Sequence, residues 1–265
     1  MHPVLFHLGQ LTIYSYGVLV ATGVILGVWL ASRDAPRVGL SPVAIWNFGI
    51  YGILFALVTS KIWLIVSEWS FYSANPREVF SSATLQSGGT FYGGLIGGLV
   101  WTLLYTRYEK MPLLSTLDVC AAPLALGHAI GRVGCFAAGC CFGKPTSLPW
   151  AVKFTSDIAA RISGTPLNTP LHPTQLYEAA LEFLNFLFLY FFGRRWRFPG
   201  QSTGAYLALY GVERGLLEFL RDDPGRTLLF HDEFSLMQIV SLAMLCLGLL
   251  LWSRGIRDAK TAPAS

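Results

Sequence analysis

The sequence predicts an all-α, polytopic membrane protein with about seven transmembrane helices and a small extracytoplasmic cap. Three observations carry that expectation. The 265 residues are 53% hydrophobic and 13% charged, whereas a soluble domain carries roughly 25% charged residues. The mean hydropathy is +0.51. Apolar runs of near-bilayer length recur along the chain, parted by short joints that carry Pro, Gly or charge. A water-facing surface cannot be built from this composition, so a single integral membrane domain is expected over 1–265.

The runs fall at about 11–31, 43–66, 89–106, 114–134, 174–193, 201–220 and 234–253, each near the roughly 20 residues that a spanning helix needs. No positively charged region precedes the first run and no small-residue cleavage pattern follows it. It is therefore expected to stay as an anchor rather than be removed as a signal peptide. Two joints are too long to be turns: about 67–88, and about 135–173 with its GKPTSLPW and SGTPLNTPLHP stretches. These form the predicted extracytoplasmic cap, with Trp69 and Trp150 at headgroup level.

Seven spans put the termini on opposite sides. With the N-terminus outside, the inner joints hold Arg33, Arg37, Arg107, Lys110, Arg194, Arg195, Arg197, Arg254, Arg257 and Lys260. The outer joints hold Arg77, Lys144, Lys153, Arg161, Arg221 and Arg226. That bias predicts N-out, C-in. The net charge of +4 is thus placed by orientation, and no basic surface remains for nucleic acid.

Ionisable side chains inside a bilayer cost about 2.5–3.5 kcal/mol on insertion scales, so they are kept mainly where they pair or work. Arg132 closes the fourth run, Glu178 and Glu182 open the fifth, and Glu213, Arg214 and Glu218 lie in the sixth. Arg214 and Glu218 are four apart and share a helix face. Glu182 and Glu213 read first as charged glue between helices, because a buried charge needs a partner. The arginines invite a different reading: a planar guanidinium holds two oxygens of one phosphate and stays charged when buried. Glycine spacing in GGTFYGGLIGG (88–98) leaves one helix face bare, open to a neighbouring helix or to a lipid beside Tyr92.

In this order the motifs resemble the prolipoprotein diacylglyceryl transferase family. They are IYSYG (13–17), GGTFYGGLIGG (88–98), GRVGCF (131–136), HPTQLYE (172–178), YGVERGLLEF (210–219) with RDDP (221–224), and SLMQIVS (235–241). Any one is weak; the ordered set spans almost the whole chain. The resemblance implies transfer of the diacylglyceryl group of phosphatidylglycerol to the lipobox cysteine of a prolipoprotein signal peptide, with release of glycerol phosphate. It implies a bacterial inner membrane, reaction on the outer side, membrane lipid as the surroundings, and no metal or organic cofactor. By position it assigns catalysis to Arg132, Arg214, Tyr92 and Glu218, and substrate binding to Tyr16, Gly93, Gly94, Gly97, Cys135, His172, Gln175, Tyr177 and Glu178.

Two departures stand out. The family's third-span motif has a histidine where this chain has Tyr92, and a phenol is a poor base at neutral pH. Tyr92 is then a hydrogen-bond donor to phosphate or ester oxygens, and His128 or His172 are alternative bases unless both are structural. Cys135 replaces the family's asparagine, followed closely by Cys140 and Cys141. Five cysteines are too few and too local for a disulfide framework. These three are expected to pack or to form one local disulfide, in preference to binding metal in CxxxxCC spacing, since no histidine motif accompanies them. A diverged paralogue with another acceptor shares every arginine. A transporter is disfavoured, because no internal repeat is evident.

Overall fold

The structure, a computed structural model, describes residues 3–8, 11–81, 84, 89–193, 198–222, 228–229 and 234–261, without the side chains of 8, 11, 228 and 256–261. The inner-side Arg194, Arg195, Arg197, Arg257 and Lys260 and the outer-side Arg226 fall outside the described residues or side chains, as do Gly88, Asp223 and Pro224 of the motifs. The chain is mostly helical. Helices α1 (Ser15–Asp34), α2 (Pro42–Ser67), α3 (Trp69–Ala74), α4 (Phe91–Tyr108), α5 (Leu113–Ala138), α6 (Asp157–Ser163), α7 (Thr174–Phe192), α8 (Gln201–Leu217) and α9 (Leu236–Thr261) are joined by short 3-10 turns and three two-stranded ribbons. Among the described residues, four segments are long and apolar enough to cross a membrane: Ser15–Val38, Pro42–Ser67, Leu113–Ala138 and Leu236–Gly255. Helices α4, α7 and α8 occupy the other three predicted runs.

Two compact units are present, one of Ala31–Thr116, the other of Met1–Leu30 with Leu117–Ser265. In the first, Pro42 stands in the opening turn of α2, where its missing N–H has no helical partner to lose. The Ser41 hydroxyl accepts the Ala44 N–H at 3.4 Å and caps the same end. Side chains such as Val43, Leu54, Val58, Ile62 and Val66 leave α2 largely exposed, a surface suited to lipid rather than water. Helix α4 packs on α2 through glycines: a Cβ on Gly93 would stand 2.5 Å from Trp63 Cβ, while Gly97 faces the Thr59 side chain. Farther along, Trp101 covers Gly52 and donates its indole N–H to the Phe48 carbonyl at 2.9 Å.

In the second unit, β1 (Val4–Leu8) and β2 (Leu11–Tyr14) form an antiparallel ribbon before α1. Helix α1 meets α5 along small residues, since a Cβ on Gly23 would lie 2.8 Å from the Gly127 carbonyl oxygen. Helices α8 and α9 use the same device at seven-residue spacing: Gly204 opposes Gly248, and Gly211 opposes Ser241. Such seams let backbones approach and replace the hydrophobic drive that lipid removes. Asp118 of α5 caps α8, accepting the Gly200 N–H at 2.6 Å and the Thr203 N–H at 2.8 Å, with its negative charge at the positive end of the helix.

Helix α5 runs to Ala138, past the expected end near 134, so Cys135 is helical rather than part of a loop. Nothing in VGCFAA breaks a helix; the first residue that does is Gly139, at φ 84°. Its N–H bonds to the Cys135 carbonyl at 2.9 Å. The insert that follows carries β3 (Val152–Lys153) paired with β4 (Pro170–Leu171) and the short α6. Its core is Phe142, Phe154 and Leu171, backed by Phe136 and Val152. The remaining ribbon is β5 (Leu228–Leu229) with β6 (Phe234–Ser235).

Candidate active site

Helical spacing selects the side chains. On α5, His128, Arg132 and Cys135 fall at i, i+4 and i+7 and share one face. On α7, Gln175, Glu178, Glu182 and Asn185 repeat at alternating steps of three and four and are all buried. On α8, Tyr206, Glu213 and Arg214 are buried, with Glu218 in the following turn. Each helix contributes a polar stripe that lipid would reject, and the stripes of the three meet.

Arg132 Nη2 lies 2.8 Å from Glu178 Oε1. Its Nε donates to His128 Nε2 at 3.2 Å, and His128 Nδ1 stands 3.0 Å from Glu182 Oε1. An imidazole protonated on Nδ1 satisfies both contacts, donating to Glu182 and accepting from Arg132. His128 Nε2 also lies 3.4 Å from Glu178 Oε1, so the ring sits between both glutamates and steadies the arginine. Deeper along the face, Tyr206 donates to Glu182 Oε1 at 3.4 Å and Asn185 donates to Glu213 Oε2 at 2.9 Å. Arg214 Nη1 donates to Glu218 Oε2 at 2.7 Å, and Arg221 Nε lies 4.0 Å from the same oxygen.

Arg132 and Arg214 both lie within electrostatic reach of the Glu178 carboxylate and of the Tyr210 hydroxyl. The Tyr210 ring stacks on Tyr206 with centroids 6.0 Å apart and packs near His128 at 5.3 Å. Tyr210 lies inside the YGVERGLLEF run, but sequence reasoning gave it no role. The signal was there: Tyr206, Tyr210, Glu213 and Leu217 keep the helical step of three or four, so Tyr210 belongs to the stripe that carries Glu213. Asn185 was missed because a polar residue without charge attracts less notice, and Asp118 because the helix end that it caps, at Gly200 and Thr203, lies far along the chain.

The other expected residues divide into groups. Tyr16 is exposed and lies over Gly134, whose added Cβ would meet the Tyr16 ring at 3.3 Å; the charge of Arg132 reaches its hydroxyl. From the HPTQLYE motif, Glu178 alone contacts Arg132. Gln175 is almost fully buried and donates to the Cys140 carbonyl at 2.6 Å, while Thr174 donates to the Cys141 carbonyl at 2.8 Å. Trp150 donates to the Tyr177 hydroxyl at 2.7 Å, and His172 Nδ1 lies 3.3 Å from the same oxygen. Tyr92, Gly93, Gly94 and Gly97 belong to the unit of Ala31–Thr116. There Tyr92 is exposed beside Phe91, and Gly93 and Gly97 are engaged by α2.

Cys135, Cys140 and Cys141 bring their sulfurs together, all within 4.8 Å of one another, and all three are free thiols. Arg132 Nη1 stands 4.0 Å from Cys135 Sγ. Hydrogen bonds from Cys135 and Cys140, and then the charges of Arg132 and Arg221, hold the Cys141 thiol well below the ordinary thiol range. The same hydrogen-bonded cluster pushes Cys140 up.

A family model described as prolipoprotein diacylglyceryl transferase matches residues 3–254. Curated relatives are similar over almost their whole length. A phosphatidylglycerol--prolipoprotein diacylglyceryl transferase of Clostridium tetani is 35% identical over 253 residues, covering 96% of this chain and 97% of the relative. One from Finegoldia magna is 34% identical, covering 95% and 94%. A protein of Clostridium perfringens named phosphatidylglycerol--prolipoprotein diacylglyceryl transferase 2 is 30% identical, covering 96% and 95%.

Proposed function

This chain belongs to the prolipoprotein diacylglyceryl transferase family, and from that premise we propose that it transfers the diacylglyceryl group of phosphatidylglycerol to a lipobox cysteine in the bacterial inner membrane. The sulfur of the acceptor attacks the glyceryl carbon bonded to the phosphate oxygen. An S–C bond forms, the C–O bond breaks with its electron pair going to the phosphate, and the thiol proton leaves to solvent or a base. Glycerol phosphate departs with added negative charge. The observation that supports this reading is the buried pairing of Arg132 with Glu178 and of Arg214 with Glu218 on polar stripes that meet, two oriented cations of the kind that stabilises a phosphate gaining charge.

In this reading Arg132 and Arg214 are the catalytic cations. Glu178 and His128 orient the first, and Glu218 orients the second. Tyr16 and Tyr92 offer hydroxyls to phosphate or ester oxygens, with Tyr92 in the place of the family's histidine. The glycines at 93, 94 and 97 let α4 lie close to its surroundings. Gln175 acts through the turn it holds, and His172 and Tyr177 brace the insert against Trp150. Helices α4, α7 and α8 complete seven spans with the four longer ones, the insert of 139–173 is the outer cap, and the termini lie N-out and C-in.

A second reading is favoured by one feature. Cys135, in the place of the family's asparagine, faces Arg132 with a sulfur instead of an amide, which suits a diverged paralogue with another acceptor. The test for both is transfer by the purified protein in proteoliposomes, using labelled phosphatidylglycerol and a lipobox peptide. Lipid on the peptide thiol together with released glycerol phosphate is the expected result. Neither product, beside an active family member, moves the assignment to another acceptor, and restoring Tyr92→His with Cys135→Asn then asks whether lipobox transfer returns.

A further inference from the structure

We propose that Cys135, Cys140 and Cys141 form a three-thiolate site for one thiophilic d10 metal ion, of the class of Zn2+ and Cu+. The proposal stands apart from the transferase reading, which uses none of the three as a metal ligand. Their sulfurs already lie within 4.8 Å of one another. Tetrahedral zinc at about 2.3 Å from each sulfur needs S···S separations of about 3.8 Å, so rotations about Cα–Cβ bonds suffice to close the cluster. Soft thiolates select these ions over hard cations.

The arrangement asks for an explanation that a disulfide does not give. A disulfide joins two sulfurs, and here three converge. Packing of small side chains does not explain it either, because the backbone beneath the cluster is held polar group by polar group. Gln175 takes the Cys140 carbonyl and Thr174 the Cys141 carbonyl. Thr165 donates to the Gly139 carbonyl at 2.7 Å. Cys141 itself sits at φ 61°, a left-handed conformation that is unfavourable for a residue with a side chain and persists only where its surroundings fix it. The first turn of α7 and Thr165 thus hold the backbone beneath three clustered sulfurs.

Charge agrees with this. Binding releases three thiol protons to solvent, and three thiolates around a divalent ion carry a net charge of minus one. Arg132 supplies the opposite sign beside the cluster, with Nη1 4.0 Å from Cys135 Sγ.

The experiment uses the full chain, purified in detergent, reduced and kept free of oxygen. Zn2+ alone, and separately Cu+ alone, is offered in competition with a chromophoric chelator, and each cysteine's alkylation is followed by mass mapping. One equivalent per chain is expected, with Cys135, Cys140 and Cys141 protected from alkylation and the exposed Cys246 reacting as before. Cys140→Ser with Cys141→Ser should weaken binding about a hundredfold or more, while Cys246→Ser keeps the full equivalent. Cys141→Ala alone, checked for an unchanged elution volume, separates loss of a ligand from loss of the fold. The proposal fails if the reduced wild-type chain holds no more ion than the double variant.

Discussion

Two helix pairs of this chain are joined by opposite means. Helix α4 meets α2 through glycines and an indole hydrogen bond, with no ion pair at the contact described above. Helix α5 meets α7 through Arg132, His128, Glu178 and Glu182. In lipid, apolar helices gain little by touching unless their backbones come close, which is what the glycines of the first pair allow. The second pair uses groups that are expensive to bury and fully stabilising only when every partner is in place. A contact of the second kind is weak evidence for stability and strong evidence for work.

The comparison can be broken most forcefully at Glu178. Glu178→Ala leaves Arg132 buried without its carboxylate, and a loss of about 3–5 kcal/mol is expected, read as a lower thermal midpoint in detergent. Glu178→Gln, which keeps a hydrogen-bonding side chain, should lose less. Next, Arg132→Ala and Arg214→Ala should each lower transfer to a lipobox peptide by about 10²–10³-fold; wild-type turnover in both would sink the phosphate-clamp reading. On the uncharged side, Gly97→Val forces a side chain into Thr59, with an expected loss of about 1–3 kcal/mol, read as a lower thermal midpoint in detergent. Trp101→Phe removes only the bond to the Phe48 carbonyl and should lower stability by about 1 kcal/mol. Smallest of all, Tyr92→Phe should lower transfer by less than about tenfold, the scale of one lost neutral hydrogen bond; an unchanged rate would assign Tyr92 to packing.

How much of this was written in the order of residues differs between the two pairs. Helices α1, α2, α5 and α9 are legible because continuous apolar runs leave no other state in lipid. The pairing of Arg214 with Glu218 is legible because four residues make one helical turn. What spacing along one helix cannot give is which face of one helix meets which face of another. The meeting of Arg132 with Glu178 depends on where α5 and α7 cross, and nothing between residues 132 and 178 encodes that crossing locally. Gln175 shows the reverse case. Its motif gives it a substrate-binding role, but nothing in the motif announces that its amide N–H is also bound to a backbone carbonyl 35 residues away. The clue lay in its company, since Gln175 shares the buried face of α7 with Glu178, Glu182 and Asn185.

The turn at Cys140 and Cys141 also has a place in time. Its carbonyls are claimed by Thr174 and Gln175, and the strand that follows is tied to the far end of α8, where Lys144 donates to the Leu220 carbonyl at 2.8 Å and Asp222 donates to the Phe142 carbonyl at 3.3 Å. A ribosome delivers residue 140 well before residue 222. At about 5–20 residues per second, several seconds pass before the last of these partners exists. During the later part of that interval Arg132 already has His128 and Glu178 beside it, while the turn after α5 still waits for Leu220 and Asp222. The last contacts of that turn are thus made only when synthesis is nearly done.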